Sequence, residues 1–347
     1  MLENLSALAI VPKAKAIAAR RLTHNDYLEL MRKRSVIEVM ATLQSHPYFK
    51  DSLAGVSQTN LHREQLEQAL SKDIFYKYES LMRYAFGDST FAAYFIRRCE
   101  VNELLAKLRL LAMGFRHHYI VQLPGFLLNK TCFSLIRLAQ AETARDCLPV
   151  VAGTPYYKVL AGVLPTDNAK PDPLVCEHAL WTYFYTSVLK TLGTGRGAEE
   201  TEQLFLMQAE IYNLDLIYRA KAFFPEALPP QSLRKLLLPV YHVLPQRRMM
   251  ELADAPDFAA FLRLYNASRA RDVYGERSGD VRDASDVPAG RQLYRYAQRS
   301  LHMSSRPQTV MSALLALADM ERSNIVNVIE GVRYGLPPEE IEKFLKY

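Results

Sequence analysis

The sequence carries three related copies of one helical pattern, and this internal repeat constrains the fold more than any other feature. Three polar-marked helices, EVNELLAKLR, EIYNLDLIYR and ERSNIVNVIE, begin at Glu100, Glu210 and Glu321, 110 and 111 positions apart. A proline-aromatic corner precedes each of them: Pro47-Tyr48-Phe49, Pro155-Tyr156-Tyr157 and Pro256-Asp257-Phe258. An aromatic cluster lies between each corner and its helix. Because a repeated helical unit buries its faces against its neighbours, the pattern predicts a modular helical scaffold.

Helical periodicity recurs along nearly the whole chain. Near the C-terminus, apolar side chains follow the i, i+3, i+4, i+7 spacing of a helix face, at Ile325, Val328, Ile329 and Val332. No Asn-Gly or Asp-Gly turn divides two alternating runs, so hairpins are not indicated. We therefore expect an all-α protein.

The repeat divides the chain into four parts. We expect a helical lead-in at 1–34, repeats at 35–133, 134–240 and 241–347, and a polar insertion at 266–290, which is rich in Arg, Asp, Ser and Gly. The last repeat stops at Tyr347 without the segment that follows the earlier copies, whereas the first begins with such a segment. That complementarity suits three units arranged around an axis.

Composition excludes several classes of protein. A chain with 49% hydrophobic and 23% charged residues is typical of a folded globular protein. No uncharged apolar run approaches the roughly 18 residues that span a bilayer, and the N-terminus lacks the order of a signal peptide. The four scattered cysteines indicate reduced core thiols in a cytoplasmic protein. The net charge of +6 suits an anionic membrane surface, an acidic protein or nucleic acid, but no nucleic-acid motif accompanies it.

Motifs for catalysis or metal binding are missing from the sequence. The glycine-dense 193–197 segment lacks the lysine-hydroxyl pair of a phosphate loop and is interpreted as a turn. His117 and His118 are adjacent, so on a helix they point about 100° apart and do not share one ion easily. No HExxH or GxSxG string occurs. We predict no catalytic, cofactor-binding or metal-binding residues.

Glutamate and asparagine lie three residues apart in two of the marked helices and therefore share a helix face. The pairs are Glu210 with Asn213 and Glu321 with Asn324. One interpretation is an inter-helix hydrogen bond that fixes register, since a buried amide must find partners. The other is a polar lining for a central opening that receives a partner. The first copy departs from the pattern, because Glu103 occupies the asparagine position.

The string ERSNIVNVIEGVRYGLPPEEIEKF at 321–344 closely resembles the C-terminal signature of the V/A-type ATPase central-stalk connector. This family supplies the C subunit of bacterial and archaeal enzymes and the d subunit of eukaryotic ones. The resemblance extends from about residue 36 to the end. It implies a funnel-like protein of three related helical domains around a pseudo-threefold axis, without an active site or cofactor. It also implies a place on the cytoplasmic side of the membrane, between the rotor shaft and the ring of membrane proteolipid subunits.

On this resemblance, polar residues that line the axial opening are expected to engage the shaft. The candidates are Glu100, Arg109, Glu210, Asn213, Arg219, Glu321, Asn324 and Arg333. Two alternatives share the composition. One is a helical-repeat adaptor outside any rotary motor, and the other is an all-helical metal hydrolase that uses His117 or His118. Neither alternative explains the C-terminal signature.

Overall fold

A computed structural model describes residues 2–56, 63–85, 91–167, 169–192, 198–278 and 287–347. Every regular element in these ranges is a helix, which confirms the predicted all-α class. The helices up to residue 113 are α1 (Leu2–Ala18), α2 (His24–Met31), α3 (Val36–Ser45), α4 (Lys50–Leu53), α5 (Arg63–Met82) and α6 (Tyr94–Met113). Short 3₁₀ turns follow at His118–Ile120 and Gly125–Leu127.

The remaining helices follow in two groups. The middle of the chain forms α7 (Leu135–Gln140), α8 (Cys147–Val150), α9 (Pro155–Ala161), α10 (Pro173–Leu192), α11 (Ala198–Phe223) and α12 (Pro230–Lys235). The last part forms α13 (Gln246–Ala253), α14 (Phe258–Asn266), α15 (Arg269–Tyr274), α16 (Val287–Met303), α17 (Pro307–Arg333) and α18 (Pro338–Glu342). No helix in the described ranges is both long and apolar enough to cross a bilayer.

The chain forms two compact units. The first comprises Met1–Asp88, Thr194–Gln231 and Tyr241–Tyr347, and the second comprises Ser89–Gly193 and Ser232–Val240. The boundaries of these two units differ from those of the three predicted repeats. The division into repeats therefore stays a prediction. Helix α15 lies inside the predicted polar insertion, whose residues 279–286 are outside the described part of the chain. The predicted turn at 193–197 is also outside it.

Helix α17 is the centre of the first unit. Its residues 309–318 are all buried, which is the pattern of a helix enclosed on every side. It packs against α1, α5, α11 and α16, and its C-terminal half shares a core with α2 and α3. Pro307 occupies its first turn, where a missing N–H costs nothing. Gly335, at φ +67°, adopts the left-handed conformation that ends the helix.

The second unit is built around the pair α6 and α10, which pack along each other. The short helices α7 and α9 cover this pair, α7 against α6 and α9 against α10. Of its four cysteines, Cys147 and Cys176 are buried, as predicted, whereas Cys99 is half-buried and Cys132 is exposed, so the prediction of a core thiol is wrong for Cys132. Helix α6 ends at Gly114, whose φ of +89° again requires the left-handed region.

Candidate functional site

The leading glutamates of the three marked helices are the most deeply buried acidic side chains of the described chain, at 0% to 3% exposed. Each accepts a hydrogen bond from the backbone N–H of a loop that leads into a short helix. We call each of these glutamates, with its partners, a glutamate node. A buried carboxylate is costly unless hydrogen bonds satisfy it, so each node fixes a loop against a long helix.

The node of Glu210 is the most complete. Its carboxylate accepts backbone N–H bonds from His242 at 3.1 Å, Val243 at 2.9 Å and Leu244 at 2.9 Å. The Tyr274 hydroxyl donates a fourth bond, at 2.7 Å. Burial raises the pKa of Tyr274, and the adjacent Glu210 carboxylate raises it further, so this hydroxyl stays a donor. Three backbone donors therefore hold the loop before α13 to helix α11, and the Tyr274 hydroxyl joins α15 to the same carboxylate.

The node of Glu100 repeats this arrangement in the second unit. Its carboxylate accepts the backbone N–H of Cys132 at 2.6 Å and the Tyr156 hydroxyl at 2.7 Å. Tyr156 also lies 3.3 Å from the carbonyl oxygen of Arg97. Burial, with Glu100 adding to it, raises the pKa of Tyr156. Cys132 precedes α7, just as Leu244 precedes α13, so the loop is bound at an equivalent point.

The node of Glu321 uses the beginning of the chain. Its carboxylate accepts the backbone N–H of Leu22, which precedes α2, at 3.1 Å, and it lies 3.5 Å from Nε of Arg21. Burial raises the pKa of Glu321, and the positive charges of Arg21 and Lys77 oppose that rise. At the nodes of Glu100 and Glu210, the bound loop follows the marked helix in the sequence. At the node of Glu321, the N-terminal segment has this position instead.

The node of Glu321 differs from those of Glu100 and Glu210 because no tyrosine hydroxyl donates to its carboxylate. Tyr48 is the counterpart of Tyr156 in the proline-aromatic corners, yet its buried hydroxyl makes no hydrogen bond within the described chain. Its ring instead lies under the ammonium group of Lys77, 3.4 Å from Nζ to the centroid. Lys77 is in turn paired with Asp73. Charged side chains therefore surround the carboxylate of Glu321, whereas a tyrosine hydroxyl donates to the carboxylates of Glu100 and Glu210.

The position three residues after each glutamate is also internal. The Asn324 amide accepts the backbone N–H of Lys346 at 2.9 Å and donates to the carbonyl oxygen of Lys346 at 3.4 Å, so it fixes the C-terminal segment. Asn213 is fully buried. In the first copy, Glu103 accepts the Tyr119 hydroxyl at 2.6 Å. Burial raises the pKa of Glu103 to about 7, although the bond from Tyr119 opposes that rise.

The eight predicted contact residues fall into two groups. Glu100, Glu210, Asn213, Glu321 and Asn324 are buried. Arg109, Arg219 and Arg333 are exposed. Arg109 pairs with Glu177 at 2.6 Å, and Arg333 lies 3.7 Å from Glu330. The three arginines are accessible to a partner and the buried five are not. Glu100, Glu210, Glu321 and Asn324 bond to other segments of the same chain, which favours a structural role for these positions.

Sequence reasoning missed some members of the nodes. Tyr274 lies in the segment that composition marked as a polar insertion, yet it is fully buried and closes the node of Glu210. The proline-aromatic corner at 256–258 does not provide this hydroxyl. Its Phe258 packs edge-on against Tyr218, with ring centroids 5.0 Å apart. The available signal was Tyr274 itself, an aromatic residue with a hydroxyl among polar neighbours.

The nodes are suited to holding structure rather than to chemistry, since the carboxylates of Glu100 and Glu210 accept donors of the same chain and that of Glu321 accepts one backbone N–H and faces Arg21. Among the residues that the structure describes, no three His, Cys, Asp or Glu side chains are grouped so as to hold a metal ion. His117 and His118 are both exposed.

The fold and the nodes define a class of protein in which long helices are joined to loops by buried glutamates at a repeat of about 110 residues. The family model described as ATP synthase (C/AC39) subunit matches residues 10–344. The chain belongs to this family.

Three curated relatives illustrate the similarity, and each is named as the C subunit of an A-type ATP synthase. The protein of Thermococcus kodakarensis is 22% identical over 275 residues, which cover 75% of this chain and 71% of the relative. That of Methanosphaera stadtmanae is 25% identical over 282 residues, 79% and 69% of the two chains. That of Thermococcus onnurineus is 21% identical over 344 residues, 96% and 88%.

Proposed function

We propose that this chain is the central-stalk connector of a V/A-type rotary ATPase, the C subunit of that complex. It acts as a non-catalytic socket that joins the rotor shaft to the membrane proteolipid ring. In this way it couples ATP hydrolysis or synthesis to the transport of protons or sodium ions, from a peripheral position on the cytoplasmic side. The observation that carries the proposal is the family match along residues 10–344, together with relatives named as ATP synthase subunits.

The glutamate nodes support a mechanical role. A part that transmits torque must keep its helices and loops in fixed relation while load passes through it. The node of Glu210 meets this need, because displacing the loop before α13 breaks three backbone hydrogen bonds to one carboxylate. Leaving a buried charged group unsatisfied costs on the order of 3 kcal/mol, so thermal motion rarely opens the loop.

The exposed arginines are the proposed contacts with the partner subunits. Arg219 makes no ion pair in the described part of the chain, so its charge is available to an acidic group. Arg109 and Arg333 are 50% and 37% exposed, and each lies beside a half-buried glutamate, Glu177 or Glu330, whose place a partner's carboxylate can take. Permanent assemblies bury on the order of 2,000 Å² or more, so each arginine is one contact within a broad surface.

The direct test is capture of partners by the full-length chain. The immobilised chain is incubated with shaft subunits and with detergent-solubilised proteolipid ring from the same organism. We expect both to be retained. Retention of neither refutes the proposal.

Charge reversal then tests the contact residues. Arg219→Glu is expected to weaken capture, because it places a like charge against the acidic partner group. Arg247→Glu is the matched control: its side chain is 89% exposed, and it belongs to α13 rather than to a marked helix. Equal capture by both variants would remove Arg219 from the proposed contact surface.

A further inference from the structure

The end of helix α6 carries a surface that the nodes do not explain. We call Met113–Val121 the apolar-basic loop. Four of its nine side chains are apolar and between 59% and 75% exposed: Met113, Phe115, Ile120 and Val121. Single exposed apolar residues are normal on protein surfaces, but four within nine positions form a local patch.

The charge of the apolar-basic loop has one sign. Arg116, His117 and His118 are exposed, and the nine residues include no Asp or Glu. Lys170 adds a further cation, because its Nζ lies 4.0 Å from the place where a Cβ on Gly114 would be. Apolar side chains that project among cations are typical of proteins that dock on the interface of an anionic membrane.

The apolar-basic loop is held in place from beneath. The buried ammonium group of Lys107 donates to the carbonyl oxygens of Arg116 at 2.8 Å and Ala139 at 3.1 Å. The buried Tyr119 within the loop donates to Glu103. The apolar side chains are therefore presented outward by an ordered backbone, so their exposure does not result from a loose segment, and docking costs little conformational entropy.

The helix end itself contributes to this presentation. Gly114 adopts the left-handed conformation, and the N–H of Phe115 donates to the carbonyl oxygen of Leu110 at 2.8 Å. In this type of helix cap the residue after the glycine commonly packs back onto the helix. Here Phe115 instead stays more than half exposed.

The other two marked helices end differently in charge. Exposed apolar residues occur at their ends too, at Phe223, Phe224, Tyr334 and Leu336. Exposed acidic residues follow them in the sequence: Glu226, Glu339 and Glu340. An anionic surface would repel these two ends, so the combination of apolar and solely basic residues belongs to the apolar-basic loop.

We propose that the apolar-basic loop binds the surface of an anionic lipid membrane, with Phe115, Ile120 and Val121 inserted among the headgroups and Arg116 paired with lipid phosphates. This contact goes beyond the proposed joining of shaft and ring and needs neither partner. Protein capture and lipid binding can therefore fail separately.

The test is co-sedimentation of the full-length chain with vesicles of phosphatidylcholine alone and of phosphatidylcholine mixed with phosphatidylglycerol. We expect binding to the mixed vesicles and at least about tenfold weaker partitioning to the neutral ones. Replacing Phe115, Ile120 and Val121 together by serine should reduce partitioning to the mixed vesicles at least about tenfold. Arg116→Glu should reduce it without altering any apolar side chain, which covers the case of a triple variant that folds poorly.

Matched controls keep the outcomes distinct. Leu8→Ser combined with Met303→Ser removes apolar side chains that are 75% and 78% exposed elsewhere on the chain, and it should leave partitioning unchanged. Absence of vesicle binding by the unmodified chain overturns the proposal. So does equal loss in the control, or unchanged binding by the loop variants. If the unmodified chain ignores vesicles while the triple variant loses the proteolipid ring, the loop is a protein contact and the lipid proposal is wrong.

Discussion

Replacing Tyr274 with phenylalanine removes one hydroxyl group from the node of Glu210 and leaves the ring in place. The lost bond is 2.7 Å long, fully buried and accepted by a carboxylate. Hydrogen bonds to charged groups contribute roughly 1.5–3 kcal/mol, so Tyr274→Phe should lower the free energy of unfolding by about that amount. Tyr156→Phe should cost about as much, because its bond to Glu100 has the same length and a similar environment.

Tyr48→Phe is the matched control. Its hydroxyl is buried and has no hydrogen-bond partner within the described chain, while its contact with Lys77 is made by the ring face. Phenylalanine retains that face and removes the unsatisfied hydroxyl. We therefore expect a change within about 0.5 kcal/mol of zero, or a small gain in stability.

Native-state hydrogen exchange is the suitable assay, because a chain with two compact units need not unfold in one step. The amides of His242, Val243 and Leu244 report on the node directly, since they donate to Glu210. A loss of roughly 1.5–3 kcal/mol corresponds to exchange that is roughly 10 to 150 times faster at these amides in Tyr274→Phe. If Tyr48→Phe destabilises the protein as much as Tyr274→Phe, the distinction between the node of Glu321 and the node of Glu210 is refuted.

Three further predictions concern pH, packing and the C-terminal segment. Burial raises the pKa of Glu103 from 4.5 to about 7, so its contribution to stability is fully present below pH 4.5 and is lost as the pH rises through 7. Urea titrations should show stability falling by up to about 3 kcal/mol over that window, and Glu103→Gln should remove this slope. Gly331→Ala should destabilise by about 1–3 kcal/mol, because the added Cβ would lie 2.5 Å from Cγ1 of the buried Ile341. The Cβ of Gly290→Ala would instead meet the methylene groups of Lys346, 2.7 Å from Cδ and 2.9 Å from Cγ, and because this side chain can shift more readily, Gly290→Ala should cost less. Asn324→Ala removes the two backbone bonds that fix the last residues, so carboxypeptidase should digest the C-terminus faster than in the unmodified chain.

Each of these predictions has a result that contradicts it. A slope that persists in Glu103→Gln would assign the pH dependence to another group. Equal stability of Gly331→Ala and Gly290→Ala would show that the helix–helix approach at Gly331 is looser than the structure has it. An unchanged digestion rate would mean that other contacts, such as the stacking of Tyr347 on Tyr27 at 5.0 Å, hold the C-terminus alone.

The sequence predicts the helices well, because apolar periodicity is a local property. It also marks Glu100, Glu210 and Glu321, since a charged residue repeated at one place in an apolar helix is visible without a structure. It does not show that these carboxylates are buried, because their partners are backbone N–H groups, which every residue except proline carries. The partner of Glu321 moreover lies 299 positions away, at Leu22.

Composition also misled at two places. The segment at 266–290 is polar on average, and this average hides Tyr274. The ring of Tyr274 is buried, and its hydroxyl donates to the carboxylate of Glu210. The exposure of the apolar-basic loop is likewise not visible in the sequence. Its exposure depends on the glycine-capped end of α6 and on support from Lys107, and neither changes the periodicity of the helix.

ATP-driven ion transport by the complex in vesicles, measured with and without this chain, tests the proposed coupling of a soluble motor to a membrane rotor. Complexes that lack the chain should hydrolyse ATP but not move ions, and adding the purified chain should restore transport. Ion transport at the full rate without the chain, or no recovery after it is added back, would show that the chain does not have this role.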